Sequence, residues 1–313
     1  MGFGQTNTKL KGVIDWGPHR GPILDEIKGY SVIDCEVCGF KHVVPLPTLE
    51  ELAAVYRLEY YTVDKPLYLE RYREDLDWWN LVYRERYETF EELLSPTRRR
   101  LLDVGSGPGF FLRLGQERGW QTLGIEPSAR AAAHSRSLGV EVLEDFLTEE
   151  TAAGLGTFDV VHLSEVLEHI PDPRGMLAIV QSLLAPAGLL CVVVPNDYNP
   201  LQNSLRAVCG FEPWWVGPPH HLNYFDFASL SRLVESTGFE VVLTEATFPI
   251  DMFLLMGDNY VDNDLLGRQC HQKRKNLEQN LAKAGMTDLK RRLYKALASL
   301  GLGREVQIFA KKI

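Results

Sequence analysis

The chain reads as an α/β protein built on a parallel, doubly wound, Rossmann-like sheet. Three observations predict this. From Arg99 onward, apolar runs of strand length alternate with helical stretches, as in a parallel sheet with helices on both faces. A glycine turn, Gly105-Ser-Gly-Pro-Gly109, links the first of these strands to the first helix. Late in the chain a strand, a helical stretch of roughly 50 residues and a final strand succeed one another, which suggests an edge hairpin with a cap inserted at its turn.

Composition sets the frame. The 313 residues carry 33 Lys and Arg against 42 Asp and Glu, a formal charge of −9, and 45% are hydrophobic. That is the profile of an ordinary globular protein of one large domain with additions, or of two domains. The longest apolar run, 188–195, is too short to span a bilayer. The N-terminus lacks the basic head and apolar stretch of a signal peptide. Five cysteines in a chain of this length do not describe a secreted disulfide scaffold. The expectation is a cytoplasmic protein without a membrane span.

Residues 1–47 form a small module punctuated by Gly and Pro, with short strands at 31–34 and 42–46 around Cys35-Glu-Val-Cys38. Thr48-Leu-Glu-Glu51 is a capping box, so a helix should run to about Tyr60. A second helical, heavily aromatic stretch covers 66–94, and 48–98 is read as a linker or lid. The core is 99–249, with strands at 100–104, 121–126, 140–143, 158–163 and 189–195. Helices are expected near 110–118, 128–137, 149–154, 174–184 and 228–236, and a further strand at 240–244. A helical cap fills 250–303, and the last core strand lies in 304–313, near 305–311. Residues 268–295 hold nine bases and two acids, from Arg268 to Lys295. A solvated helix face is the plain reading of such a run, and a contact with a phosphate-bearing substrate is the other. The acidic remainder argues against tight, nonspecific nucleic-acid binding.

The glycine turn discriminates between ligands. Glycine lets backbone N–H groups approach a ligand where a Cβ would collide. A dinucleotide fingerprint needs a third glycine where Phe110 stands, and a P-loop needs Gly-Lys-Ser/Thr, which is absent. Asp103 offers a carboxylate suited to an ammonium. Glu126, ending the second strand, can accept from both ribose hydroxyls. Asp145 and Phe146, after the third strand, can meet an adenine. On these residues the segment 101–248 resembles the class I S-adenosylmethionine-dependent methyltransferases. The resemblance implies a sheet order of 3-2-1-4-5-7-6 with the seventh strand antiparallel. It places Asp103 on the cofactor's ammonium, and Gly105, Ser106, Gly107, Gly109 and Phe110 along the methionyl-ribose passage. Glu126 would hold the ribose, Asp145 and Phe146 would frame the adenine, and Ser164 would lie nearby.

The fourth strand leads into Ser164-Glu-Val-Leu-Glu-His169, and Pro218-Pro-His-His221 lies downstream. Glu165, Glu168 and His169 have the spacing of one face of a helical turn. Two active readings stay open. His221 or His220 serves as a general base, or Glu165, Glu168, His169 and one of those histidines bind a divalent metal that activates a hydroxyl. The Glu-x-x-Glu-His segment looks like that of ubiquinone-pathway O-methyltransferases. With a later histidine it also looks like the metal site of small-RNA 3′-terminal 2′-O-methyltransferases. A helix-capping, loop-packing role is the plain alternative. Phe211-Glu-Pro-Trp-Trp215, Tyr224 and the insertion after Pro249 would wall the acceptor.

Cys35, Cys38, His42 and the preceding His19 can complete a tetrahedral zinc site. This resembles the zinc module ahead of the catalytic domain in deoxysugar C-methyltransferases, without their second Cys-x-x-Cys pair. Cys191, Cys209 and Cys270 read as unpaired thiols. The sequence thus points to a methyltransferase acting on a small molecule or sugar, nucleotide-linked or part of a glycan, with O-methylation ahead of C-methylation. The alternatives are 2′-O-methylation of an RNA 3′ end, and an inactive cofactor-binding regulatory protein. A homodimer is left open.

Overall fold

The computed structural model describes residues 11–48, 51–52 and 67–313. Two sheets organise it. The larger has seven strands: β5 (Arg100–Val104), β6 (Gln121–Ile125), β7 (Val142–Leu143), β8 (Phe158–Ser164), β9 (Leu184–Pro195), β11 (Phe239–Ala246) and β12 (Glu305–Lys312). Their order across the sheet is β11-β12-β9-β8-β5-β6-β7, which is 3-2-1-4-5-7-6 in strand rank. β12 is antiparallel to both neighbours, and the strands from β9 to β7 run parallel.

Alternation along these strands sorts side chains to two faces. Leu102, Val104, Val161, Leu163, Leu190 and Val192 enter one apolar cluster with Leu177 and Val180 of α6 (Pro173–Leu183) and Leu230 and Leu233 of α8 (Phe227–Glu235). Leu101, Val160, Leu189, Cys191 and Phe309 enter the opposite cluster. There they meet Tyr83, Tyr87 and Phe90 of α2 (Leu76–Leu93) and Phe111 of α3 (Phe110–Glu117). Helices therefore cover both faces. The shorter α1 (Tyr68–Glu74) precedes α2, and Asp75 separates them.

The smaller, antiparallel sheet contains β1 (Lys11–Trp16), β2 (His19–Ile27), β3 (Tyr30–Asp34), β4 (Lys41–Val44) and a two-residue strand, β10 (Asn223–Tyr224), lent by the core. β1, β2 and β10 carry no clear sequence signal. β10 exists because Asn223 pairs with His42 and Tyr224 with Lys41. At its foot the Thr48–Glu51 capping box forms: Glu51 Oε2 accepts from the Thr48 N–H at 2.8 Å and Thr48 Oγ1 from the Glu51 N–H at 3.3 Å. The body of the helix expected to follow lies outside the described residues. Two further helices, α4 (Ala129–Ser137) and α5 (Glu149–Ala152), fill crossovers, and α7 (Pro200–Cys209) follows β9 without having been anticipated.

The cap comprises α9 (Asp251–Leu255), α10 (Asp264–Lys283) and α11 (Thr287–Ser299), inserted between the paired strands β11 and β12. Its basic stretch is solvated only in part. Asp75, 6% exposed, accepts from Arg268, His271 and Lys275. Lys290, 2% exposed, pairs with Glu85 at 2.6 Å, and Arg291 with Glu245 at 3.1 Å. Arg274 lies over the Trp78 ring, whose Nε1 donates to Glu278 at 2.7 Å. Lys275, Lys290, Arg291 and Arg274 are thus turned inward to dock the cap on α2 and β11, while Lys273, Lys283, Arg292 and Lys295 stay exposed.

Candidate functional site

The glycine turn begins where β5 ends. Gly105 and Gly109 have φ of +69° and +82°, and Cβ atoms there would lie 2.6 Å from Val166 Cγ2 and from Ser135 Oγ. Both the dihedral and the crowding demand glycine. The Gly105 and Ser106 N–H groups bond the Ile125 carbonyl at 2.8 and 3.0 Å, which folds the turn over the end of β6. Ser106 is buried against Gly124. Phe110, the first residue of α3, stacks on Tyr72 at 4.9 Å between ring centroids.

Glu126 follows β6. Its Oε2 accepts from the Gly107 N–H at 2.8 Å and its Oε1 from the Ser128 N–H at 2.9 Å, so one carboxylate pins the glycine turn to the start of α4. Burial pushes this carboxyl up to about 7. Each of its oxygens has received one backbone donor here, and a carboxylate oxygen can take two. The donor set therefore fits a vicinal diol. Asp103 is 4% exposed, and its Oδ1 accepts from His162 Nδ1 at 2.7 Å. Asp145 Oδ1 accepts from the Phe146 N–H at 2.8 Å, a local turn at the end of β7. Ser164 Oγ accepts from Arg86 at 3.3 Å. Three acids, Asp103, Glu126 and Asp145, stand at or after the ends of three neighbouring strands, with the glycine turn among them.

After β8 the expected helical face is rearranged. Glu165 has a φ of +57°, and only Leu167–His169 form a turn, of 3-10 type. Glu165 thus stands outside the helical turn on which its spacing from Glu168 and His169 was read. The fold instead gathers Glu168, His169 and His221, whose candidate donor atoms all lie within 4.8 Å of one another. Glu165 and His220 are not in that group. Glu168 is 1% exposed, and among the described residues neither of its carboxylate oxygens accepts a hydrogen bond. Burial, with Glu165 and Asp197 adding to it, holds its carboxyl well above the ordinary range. His169 Nδ1 donates to the His220 carbonyl at 2.6 Å, which turns its Nε2 towards Glu168 Oε1, 3.6 Å away. A buried carboxyl with two imidazoles close by is a donor set that suits a cation.

A second group lies in the small sheet. His19, Cys35, Cys38 and His42 also bring their donor atoms within 4.8 Å of one another. His19 Nδ1 is 3.4 Å from Cys38 Sγ and 3.8 Å from Cys35 Sγ. His42 donates from Nδ1 to the Val43 carbonyl at 2.9 Å, which leaves Nε2 buried with no hydrogen-bond partner. Burial and the adjoining Cys35 push the Cys38 thiol up to about 12. Two thiolates here need a cation between them, and two thiols with two imidazole nitrogens fit zinc.

The two groups are joined. Val43 N–H donates to the Leu222 carbonyl at 2.9 Å, and Leu222 N–H donates to the Glu168 carbonyl at 2.8 Å. Tyr224 donates from its hydroxyl to the His221 carbonyl at 3.0 Å. Tyr224 and Trp215 are 1% and 7% exposed, and with Val32 and Val43 they make the core beneath the small sheet. Both aromatics pack that junction. Sequence reasoning missed Arg86 and His162. The available signal was a lone histidine at 162 within the apolar strand 158–163.

The Methyltransferase domain family matches residues 69–244. Among curated relatives, the C-methyltransferase NovU of Streptomyces niveus is 32% identical over 146 residues, covering 45% of this chain and 33% of its own. The ubiquinone biosynthesis O-methyltransferase of Xanthomonas axonopodis pv. citri is 35% identical over 172 residues, 50% of this chain and 69% of that protein. The same enzyme from Actinobacillus pleuropneumoniae serotype 7 is 29% identical over 164 residues, 45% and 69%. The match thus takes in a third of the first relative and about two thirds of the others. A solved SAM-dependent methyltransferase of Archaeoglobus fulgidus superimposes with a TM-score of 0.51 over 81% of this chain and 100% of that one, at 19% identity, a likeness of fold. Among the described residues, no helix is long and apolar enough to cross a membrane.

Proposed function

The chain belongs to the methyltransferase-domain family of S-adenosylmethionine-dependent enzymes, and on that premise we propose that it methylates a hydroxyl of a small-molecule or sugar acceptor. When bound, the cofactor supplies an electrophilic methyl on a sulfonium. The protein's own task is to hold that group, align the acceptor and manage its proton. Asp103 would face the ammonium, Glu126 would take the ribose hydroxyls through its remaining lone pairs, and Asp145 with Phe146 would border the adenine. Glu168, His169 and His221 would hold a divalent cation beside the acceptor, lowering the pKa of its hydroxyl and orienting it. The observation that carries this reading is Glu168, a buried carboxyl without a hydrogen-bond donor, with an oxygen within 4.8 Å of ring nitrogens of His169 and His221. A second reading makes His221 the general base, and the anchoring of its carbonyl by Tyr224 favours it. The RNA-end reading has a smaller basic surface to lean on, because Lys275, Lys290 and Arg291 are paired within the protein, while Lys273, Lys283, Arg292 and Lys295 are exposed. His19, Cys35, Cys38 and His42 would hold a structural zinc.

The test is metal content by mass spectrometry on protein purified without added metal, with transfer assayed on vicinal-diol acceptors. A metal lost with Glu168→Ala/His169→Ala, together with loss of transfer, supports the cation. Activity that depends on His221 in protein with no such metal supports the base. Methyl transfer undiminished in both Glu168→Ala and His221→Ala defeats both readings.

A further inference from the structure

Asp103 and His162 are register partners on the adjacent parallel strands β5 and β8, so their side chains leave the sheet on the same face. Leu101, Val160, Leu189 and Phe309 lie on that face with them. His162 is 2% exposed and stacks on Phe111 at 4.2 Å between ring centroids, which fixes the plane of the imidazole. One nitrogen, Nδ1, meets Asp103 Oδ1 at 2.7 Å, and the other, Nε2, meets the Arg86 guanidinium at 3.2 Å. An arginine only donates. Nε2 must therefore carry the lone pair, and the ring proton sits on Nδ1 and points at Asp103. Burial lowers the His162 pKa, in keeping with a neutral ring. Arg86, itself 3% exposed, is held by Gln307 Oε1 at 3.1 Å and Ser164 Oγ at 3.3 Å, neither of them an anion.

We propose that His162 is a positioning residue for cofactor binding: held in its Nδ1–H tautomer by Arg86, it aims Asp103 while leaving that carboxylate's negative charge for the cofactor's ammonium group. A lysine or a protonated histidine at this point would compete with the incoming ammonium. A neutral imidazole orients the carboxylate without cancelling its charge, and the compensating cation is kept one group further away. The inference rests on the assignment of Asp103 to the ammonium made above.

Two ligands separate the relay from a general packing role. S-adenosylhomocysteine carries the ammonium, whereas 5′-methylthioadenosine keeps the adenosine and sulfur but lacks the amino-acid end. Calorimetric titration of the full chain should show His162→Leu weakening S-adenosylhomocysteine about tenfold, the scale of one hydrogen bond to a charged group, with 5′-methylthioadenosine changed less than twofold. His162→Asn, which keeps a donor towards Asp103, should recover most of that loss. It also provides the reading if the leucine variant does not fold. Equal weakening of both ligands, or no weakening of S-adenosylhomocysteine, overturns the proposal. Asp103→Asn identifies which step failed. If it is selective for S-adenosylhomocysteine while the His162 variants are not, the relay is wrong and the cofactor assignment stands. If Asp103→Asn is itself unselective, the assignment fails and the relay falls with it.

Discussion

Glu126→Gln should change how stability depends on pH. Burial moves the Glu126 carboxyl from its ordinary 4.5 to about 7, against the two backbone donors of Gly107 and Ser128. Between those values the folded protein binds a proton that the unfolded chain has released. Stability must therefore fall as pH rises through that window and level off above it. At about 1.4 kcal/mol per pH unit the whole effect is about 3 kcal/mol. Glutamine cannot titrate. It also presents an amide N–H₂ to one of the two backbone donors, a fixed cost of about 1 kcal/mol at any pH. The diagnostic is consequently the pH dependence of the difference between wild type and variant. Urea unfolding without cofactor, at intervals from pH 5 to 8, should show glutamine gaining on glutamate by about 2.5 kcal/mol across the range. A difference that stays flat with pH would refute the argument that burial dominates at this carboxyl. The same linkage has a second consequence. Ribose hydroxyls donate to the ionised form, so S-adenosylhomocysteine affinity should rise with pH through the same window in wild type and not in the variant.

Three further outcomes follow from the geometry. Asp75→Ala leaves Lys275, Arg268 and His271 without their shared acceptor, so chemical denaturation should show a loss of about 3 kcal/mol, and limited proteolysis should open the cap first. Cys35→Ser/Cys38→Ser should abolish zinc content measured by mass spectrometry, and hydrogen exchange should accelerate at 218–224, because β10 is paired with β4; retained zinc would contradict the ligand set. Gly109→Ala places a methyl 2.6 Å from Ser135 Oγ and 3.1 Å from Ser135 Cα at a φ of +82°, which should cost about 2 kcal/mol in urea unfolding and weaken cofactor binding.

Much of the architecture is local in origin and was legible for that reason. Apolar runs such as 100–104 and 158–163 are strands because both faces of a parallel sheet are covered, so every position along them meets a helix or a neighbouring strand. The glycines at 105 and 109 announce a turn that no other residue can make, and Glu126 sits at the neighbouring strand end, where its carboxylate holds that turn. The edge hairpin with its inserted cap followed from the order of the last elements. The site beyond the cofactor was less legible. Spacing suggested that Glu165, Glu168 and His169 share a helical face, but the left-handed backbone at Glu165 leaves only a short turn beyond it.

What the sequence determined by itself is therefore what depends on neighbours along the chain: periodicity, capping, glycine turns and the Cys35–Cys38 spacing. What only the tertiary structure decided depends on groups distant in sequence. A two-residue strand at Asn223–Tyr224 has no periodicity to detect and exists only because β4 offers it an edge. Nothing local distinguishes a solvated lysine from Lys290, whose charge is buried because Glu85 waits on another helix. His162 is one polar residue in an apolar strand until register brings it beside Asp103 and packing brings Arg86 behind it. Charges and lone pairs take their function from partners, and partners are chosen by the fold.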